Sequence, residues 1–313
     1  MKFKIKEKDK GVRLDKFLVE KTKKTRGQVQ RAISAGAVLV NGKNLSNHYA
    51  LKIGEEVELR SKKLEVRSQK NINPAREPKI IFANKEFIVV NKPAGLIVHG
   101  APHIKGATLA DWLLKKYPEL KKVGEDKTRP GIMHRLDKDV SGLLVIARTN
   151  DSFKNLKKQF QDRGVEKIYT ALVYGNIAKD NDKIEFSLKR SAGGHRQAAV
   201  PEGYNFKENF LELREAYTEF QIIKRLINYT LLSVKIKSGR KHQIRVHLFA
   251  YGFPLVGDNL YSTKYTRAEN RKINLNRIFL VSSKLSFTDL SGQRQSFSVE
   301  LPDDLNSFLQ KLK

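Results

Sequence analysis

Hydrophobic positions follow two regimes along the chain. In the first 70 residues they recur at helical spacing in short runs. Leu14, Phe17 and Leu18 stand at i, i+3, i+4 and predict a helix with one buried face. In TRGQVQRAISAGAVLVNGK (25–43), Thr25 and Gln28 have capping-box spacing, Val29 and Ile33 with Ala32 supply a buried stripe, and Gly36 suits the position after the helix end. Val38, Leu39 and Val40 predict a short strand, and Asn41–Gly42 is a hairpin turn signal. The sum is a compact helix–helix–hairpin unit.

From residue 80 the pattern is dominated by strands. IIFANKEFIVVNKPAGLIVHG (80–100) holds two apolar runs around Asn84–Glu86, and SGLLVIA (141–147) is a continuous apolar run expected to be buried. IYTALVYG (168–175) is rich in β-branched and aromatic residues. Leu232, Val234 and Ile236 alternate with Ser233, Lys235 and Lys237, the period-2 mark of a half-exposed strand. Helices are expected at 107–117, 150–161 and 241–252. Strands and helices mix without regular βαβ alternation, which predicts an α+β fold on a mixed, largely antiparallel sheet with flanking helices. The polar segment SQKNINPAREPK (68–79), with Pro74 and Pro78, separates the two regimes. The expected organisation is therefore a small unit over 1–70, a linker over 71–79 and a large unit over 80–313.

Charge narrows the possible partners. The chain has 61 Lys and Arg against 33 Asp and Glu, a net charge of +28, which calls for a polyanion and above all for nucleic acid. Residues 1–75 hold 19 of the basic residues and 8 of the acidic ones, a net of +11 and about twice the net charge density of the remainder. There is no cysteine, which excludes disulfides, thiolate metal sites and a cysteine nucleophile. No stretch has the length of a signal-peptide core or a transmembrane helix, so a cytoplasmic monomer without membrane contact is the expectation. No Walker or Rossmann spacing is present, and nothing asks for a nucleotide or other cofactor.

The tetrapeptide RLDK occurs twice, at 13–16 and at 135–138. In the first copy Asp15 falls in the first turn of a helix, where the macrodipole favours an acid that faces solvent. In the second, Asp137 lies just before the buried run at 141–147, where a rigid strand can position a catalytic group. His134, Arg135 and Lys138 can surround it with positive charge and favour its ionised form, suited to act as nucleophile or local base. Asp139 would make a second carboxylate, but alternation in an extended segment turns it away from Asp137. His242 and His247 are five apart, a spacing that does not stack two imidazoles on one helix face, so no metal site is expected. Arg240, Lys241 and Arg245 fit phosphate or carboxylate partners, and Tyr169 could stack on a displaced base.

Taken in order, NKPAGLIVHG, HRLDKDVSGLLVIA, EKIYTALVYG, SGRKHQIRVHL and PLVGDNLY resemble the RluA/RluD-type pseudouridine synthases, from about residue 80 to the C-terminus. GVRLDKFL with TRGQVQRAISAGAVLVNG resembles the αL-type RNA-binding domain first known from a small-subunit ribosomal protein. The resemblance implies an isomerase that converts uridine to pseudouridine in RNA without a cofactor or metal. It favours large-subunit (23S) ribosomal RNA over transfer RNA, and with it a part in ribosome biogenesis. It implies that Asp137 is the essential aspartate, that Arg135 helps displace the uridine, and that Tyr169 packs on the target base. Ile244 would line the base pocket and Arg245 would pair with the catalytic carboxylate. Arg13, Lys24, Arg26 and Arg31 would touch RNA. Two departures from the family pattern are Val140 in place of Thr, and Leu280-Val281-Ser282 in place of Leu-His-Ala. The alternatives are a transfer-RNA-directed synthase, a uracil-releasing hydrolase and a non-catalytic ribosome-assembly factor on the same scaffold.

Overall fold

Nine strands of the described chain join into one sheet, and its middle carries the residues of interest. The computed structural model describes residues 1–22, 25–34, 36–59, 77–100, 107–191, 196–200, 213–273 and 275–312. It divides into two compact units, Met1–Ser68 and Gln69–Lys313. Of the expected linker at 71–79, residues 71–76 lie outside the described residues, and Lys79 already opens a strand.

In the first unit, strands β1 (Lys2–Lys4), β3 (Glu56–Leu59) and β2 (Val38–Val40) form an antiparallel sheet in that order. It accompanies helices α1 (Leu14–Thr22) and α2 (Arg26–Ser34). Leu14, Phe17, Leu18, Val29, Ile33, Val38 and Val40 meet in one core. The capping box forms as spaced: Gln28 N–H donates to the Thr25 hydroxyl at 3.4 Å and Thr25 N–H donates to the Gln28 side chain at 2.9 Å. The expected hairpin at Asn41–Gly42 does not continue. Both turn residues take positive φ, but only Val40 and Lys43 bridge across the turn, and β2 pairs with β3 instead.

A larger correction concerns Asp15. It is wholly buried, not solvated. Arg13 donates to it twice, at 3.0 and 2.8 Å, Gln30 at 3.0 Å and Arg26 at 3.3 Å. Burial opposes its charge, but the hydrogen bonds from Arg13, Gln30 and Arg26 prevail and hold the carboxyl well below the usual range. The first RLDK is thus a structural ion cluster joining the start of α1 to α2.

In the second unit, among the described residues, the nine-stranded sheet runs β4 (Lys79–Ala83), β5 (Phe87–Lys92), β6 (Ser141–Ala147), β13 (Leu280–Thr288), β7 (Glu166–Tyr174), β12 (Tyr229–Ile236), β11 (Thr218–Leu226) and β8 (Asn181–Ile184). The ninth strand, β14 (Arg294–Ser298), pairs with β13. Every pairing is antiparallel except β6 with β13. β9 (Ser187–Arg190) and β10 (Gln197–Val200) form a separate pair. Helices α3 (Leu109–Lys116), α4 (Asn150–Gln161), α5 (Gln243–Ala250), α6 (Lys264–Ile273) and α7 (Asp303–Gln310) complete the unit. All seven residues of β6 are buried, as a continuous apolar run in a central strand requires.

The parallel join explains one glycine. Gly142 lies at φ 120° opposite Ser282, where a Cβ would run into the Ser282 backbone. The register continues across the sheet from Gly142 to Ser282, Tyr169 and Val234. The strand that follows the Asp137 loop, β6, is thereby separated from the strand that carries Tyr169 by β13 alone.

Candidate active site

The turn before β6 closes with Val140 N–H on the Asp137 carbonyl at 3.2 Å. That bond uses the backbone of residue 140, and the Val140 side chain is buried in the core. From the other side, Lys92 is wholly buried and donates to the carbonyls of Pro93, Leu96 and Lys138 at 2.8, 2.9 and 3.2 Å. Gly95 N–H donates to the same Lys138 carbonyl at 2.7 Å. Burial pushes the Lys92 ammonium down to about 7, with Asp139 and Asp137 opposing that shift. Lys92 therefore ties the loop after β5 to the loop bearing Asp137.

Helix α5 supplies the partner. His242, at its start, takes φ 57° and turns the chain out of the loop after β12. Buried Gln243 then uses both ends of its amide: Ser238 Oγ and Arg240 N–H donate to its oxygen at 2.8 and 3.0 Å, while its nitrogen donates to the Tyr217 carbonyl and Thr218 Oγ1 at 2.9 and 3.1 Å. His247 bonds Thr218 Oγ1 at 3.0 Å and the Phe186 carbonyl at 2.9 Å. These bonds fix the helix on the sheet and leave Arg245 facing the Asp137 loop.

Arg245 Nη1 donates to Asp137 Oδ2 at 3.1 Å. The rest of its guanidinium forks onto Asp258, Nε to Oδ2 at 2.7 Å and Nη2 to Oδ1 at 3.0 Å. Asp258 is itself buried and also accepts the Leu260 and Tyr261 amides at 2.8 and 3.0 Å. Burial works against the Arg245 charge, but Asp258 and then Asp137 outweigh it and raise its pKa. His242 Nε2 lies 3.8 Å from Asp137 Oδ2, and its Nδ1 meets the Tyr261 hydroxyl at 3.0 Å. Burial lowers the His242 pKa, Asp137 pulling the other way. Oδ2 of Asp137 is thus held, while Oδ1 makes no hydrogen bond with any described residue. The side chain lines a cleft of about 850 Å³ bordered also by Arg135, His242, Arg245 and Asp258.

The sequence-derived residues sort as follows. Asp137 and Arg245 come together. Arg135 is exposed and lines both this cleft and a second one of about 460 Å³. Tyr169 is buried and lines the second cleft; burial raises its pKa, and the Asp137 charge adds to that. Ile244 is packed in the sheet core and does not line the cleft that holds Asp137. His134 does not supply positive charge: it accepts Val145 N–H at 3.0 Å, stacks on Phe160 at 4.6 Å, and is pushed down to about 3 by burial and by Lys167. Asp139 borders the same cleft as Asp137 instead of turning away. Arg13 and Arg26 bind Asp15, while Lys24 and the Arg31 side chain lie outside the described residues. Among the described residues no group of three His, Asp or Glu is placed to hold a metal ion, and no helix is long and apolar enough to cross a membrane.

Asp258 is the residue that sequence reasoning passed over. Its signal was an acid inside the apolar stretch PLVGDNLY, where a buried carboxylate must have a charged partner.

A carboxylate is thus held on a loop by a doubly anchored arginine at the edge of an open cleft. Comparison with known proteins identifies the family. Residues 86–250 match the family described as RNA pseudouridylate synthase, and residues 12–57 match the S4 domain. An uncharacterised RNA pseudouridine synthase of Aquifex aeolicus is 35% identical, over 94% of this chain and 92% of its own. The ribosomal large subunit pseudouridine synthase D of Neisseria meningitidis is 33% identical, over 97% and 79% respectively. The solved structure of human RNA pseudouridylate synthase domain containing 1 shares the fold, with a TM-score of 0.59 at 23% identity over 76% of this chain and 90% of that one. The chain belongs to the RNA pseudouridine synthase family: it is an isomerase that acts on RNA, with an RNA-binding S4 domain in front of the catalytic unit.

Proposed function

We propose that this enzyme isomerises uridine in large-subunit ribosomal RNA and that Asp137 is the group acting on the target nucleoside. The observation that carries the role of Asp137 is its bond to Arg245, which is anchored in turn by Asp258. A guanidinium shared between two carboxylates holds Asp137 oriented through one oxygen, and the other oxygen remains for the nucleotide.

The reaction breaks the N1–C1′ bond, turns the uracil, joins C5 to C1′ and releases the C5 proton. N1 takes up a proton in place of the one lost from C5, so the product is an isomer and no external oxidant or reductant is required. The target must leave its stack, at a cost of a few kcal/mol. In this reading Arg135, which lines both clefts, fills the gap, and the Tyr169 ring faces the displaced base. The S4 domain and the charge of +28 supply the anchorage expected for a large structured RNA.

The ribosomal target rests on the resemblance to synthases named for the large subunit, including that of Haemophilus influenzae at 30% identity. Carbodiimide-based mapping of pseudouridine, in cells with and without the gene, tests it. The expected result is loss of one or more pseudouridines from large-subunit ribosomal RNA. Loss confined to transfer RNA would overturn the substrate assignment.

A further inference from the structure

The second cleft contains a buried cation that the isomerisation chemistry does not use. Lys167, on β7, is 7% exposed and lines that cleft. Its ammonium makes no hydrogen bond or ion pair with any described residue. Its charge contact is the Phe160 ring, 5.5 Å away. Gly239 stands beside it, where an added Cβ would lie 3.8 Å from Nζ, so residue 239 itself puts no side chain over the ammonium. The cleft is lined by six Lys and Arg residues and no Asp or Glu, so no carboxylate lining it answers this charge. The ammonium opens on the cleft from an otherwise buried side chain, and a partly desolvated cation without an anion gains from a ligand that brings one.

We propose that the second cleft is a phosphodiester subsite for the RNA strand flanking the target nucleotide, with Lys167 as its buried contact and Arg163 and Arg240 at its rim. This rests on the reading that RNA is the ligand of the adjoining Asp137 cleft. Arg135 lines both clefts, so a strand whose base enters the first has its neighbouring phosphate beside the second. Phe160 and Ile236 give the subsite an apolar wall, where a charge-assisted hydrogen bond counts for more than at open surface. Burial lowers the Lys167 pKa to about 8, which leaves it a cation at neutral pH.

The test uses the full-length enzyme and two probes, oligouridylate and large-subunit ribosomal RNA, titrated over a salt series. Lys167→Met should weaken binding of both by about tenfold and reduce the salt slope by roughly one. Lys167→Arg should keep the slope. Turnover of Lys167→Met should show a raised KM with kcat within about threefold of wild type, as expected for a contact shared by ground and transition states. Its melting temperature should be equal or higher, since an uncompensated charge has been removed. Arg163→Gln, a rim change, reads the same slope independently of folding at residue 167. Affinity and slope within twofold of wild type in both variants would overturn the subsite, as would a lowered melting temperature with an unchanged slope. Binding does not depend on turnover. A failure to form pseudouridine would therefore count against the proposed function while the binding data still decide the subsite.

Discussion

Asp258 holds Arg245 by two hydrogen bonds, of 2.7 and 3.0 Å, while a single bond of 3.1 Å connects that arginine to Asp137. The pair is buried and the Asp137 side chain is partly open, so the anchoring carboxylate is the one furthest from the reaction. Asp258→Asn should therefore leave Arg245 under-compensated and draw it toward Asp137. The expected loss is about 3 kcal/mol of stability, typical of breaking a buried pair. Tritium release from 5-tritiated uridine at saturating RNA should fall between about tenfold and a hundredfold, the cost of a displaced catalytic group. RNA affinity should be largely kept. An unchanged rate would show that Asp258 does not position Arg245.

Asp15 offers a contrast, because the same tetrapeptide there stabilises the fold. Asp15→Ala leaves Arg13, Arg26 and Gln30 without their shared acceptor. It should destabilise the first unit by roughly 3 kcal/mol, where a solvated acid would change stability by less than about 0.5 kcal/mol. Amide exchange along α1 should accelerate while β6 and β7 stay protected. Unaltered exchange in α1 would refute the structural role.

Much of the site was legible before any coordinates, and the boundary of legibility has a physical basis. Asp137 could be found because a polar loop before a seven-residue apolar run marks a rigid strand end. Arg245 could be found because its segment carries a family pattern. Both signals are local. The burial of Asp15 depends on Arg26 and Gln30, eleven and fifteen residues further on, so its own helix position pointed to solvent. The Asp258–Arg245 fork joins α5 to a later loop, a tertiary fact that periodicity does not contain. β11 escaped notice because Ile222 and Ile223 interrupt its alternation at the bulge with β12. Residue type gives His134 a charge, whereas burial and the nearby Lys167 keep it neutral.

Two imidazoles make the second unit sensitive to acid. Burial pushes His247 down to about 4, and burial with Lys167 pushes His134 down to about 3. Unfolded imidazole takes its proton near 6.5, so below that pH the unfolded chain binds protons that the folded chain refuses. This contribution to stability is complete above about pH 6.5 and is lost as pH falls toward 4. At pH 5 each imidazole costs about 2 kcal/mol. Melting temperature should drop between pH 7 and pH 5, and less steeply in His247→Gln. Equal drops in variant and wild type would contradict the buried neutral assignment.

The S4-containing unit should contribute affinity rather than chemistry. Deleting residues 1–75 should weaken binding to ribosomal RNA and flatten its salt dependence, since 19 of the 61 Lys and Arg residues are removed. Single-turnover tritium release at saturating RNA should persist. A salt slope equal to that of the full chain would mean that the anchorage lies elsewhere.

Asp137, held by Arg245, is proposed to perform the isomerisation. Asp137→Asn preserves size and the bond from Arg245 while removing the charge. Tritium release from 5-tritiated uridine in RNA should fall to background in this variant, with RNA binding retained. Release at the wild-type rate would contradict the account.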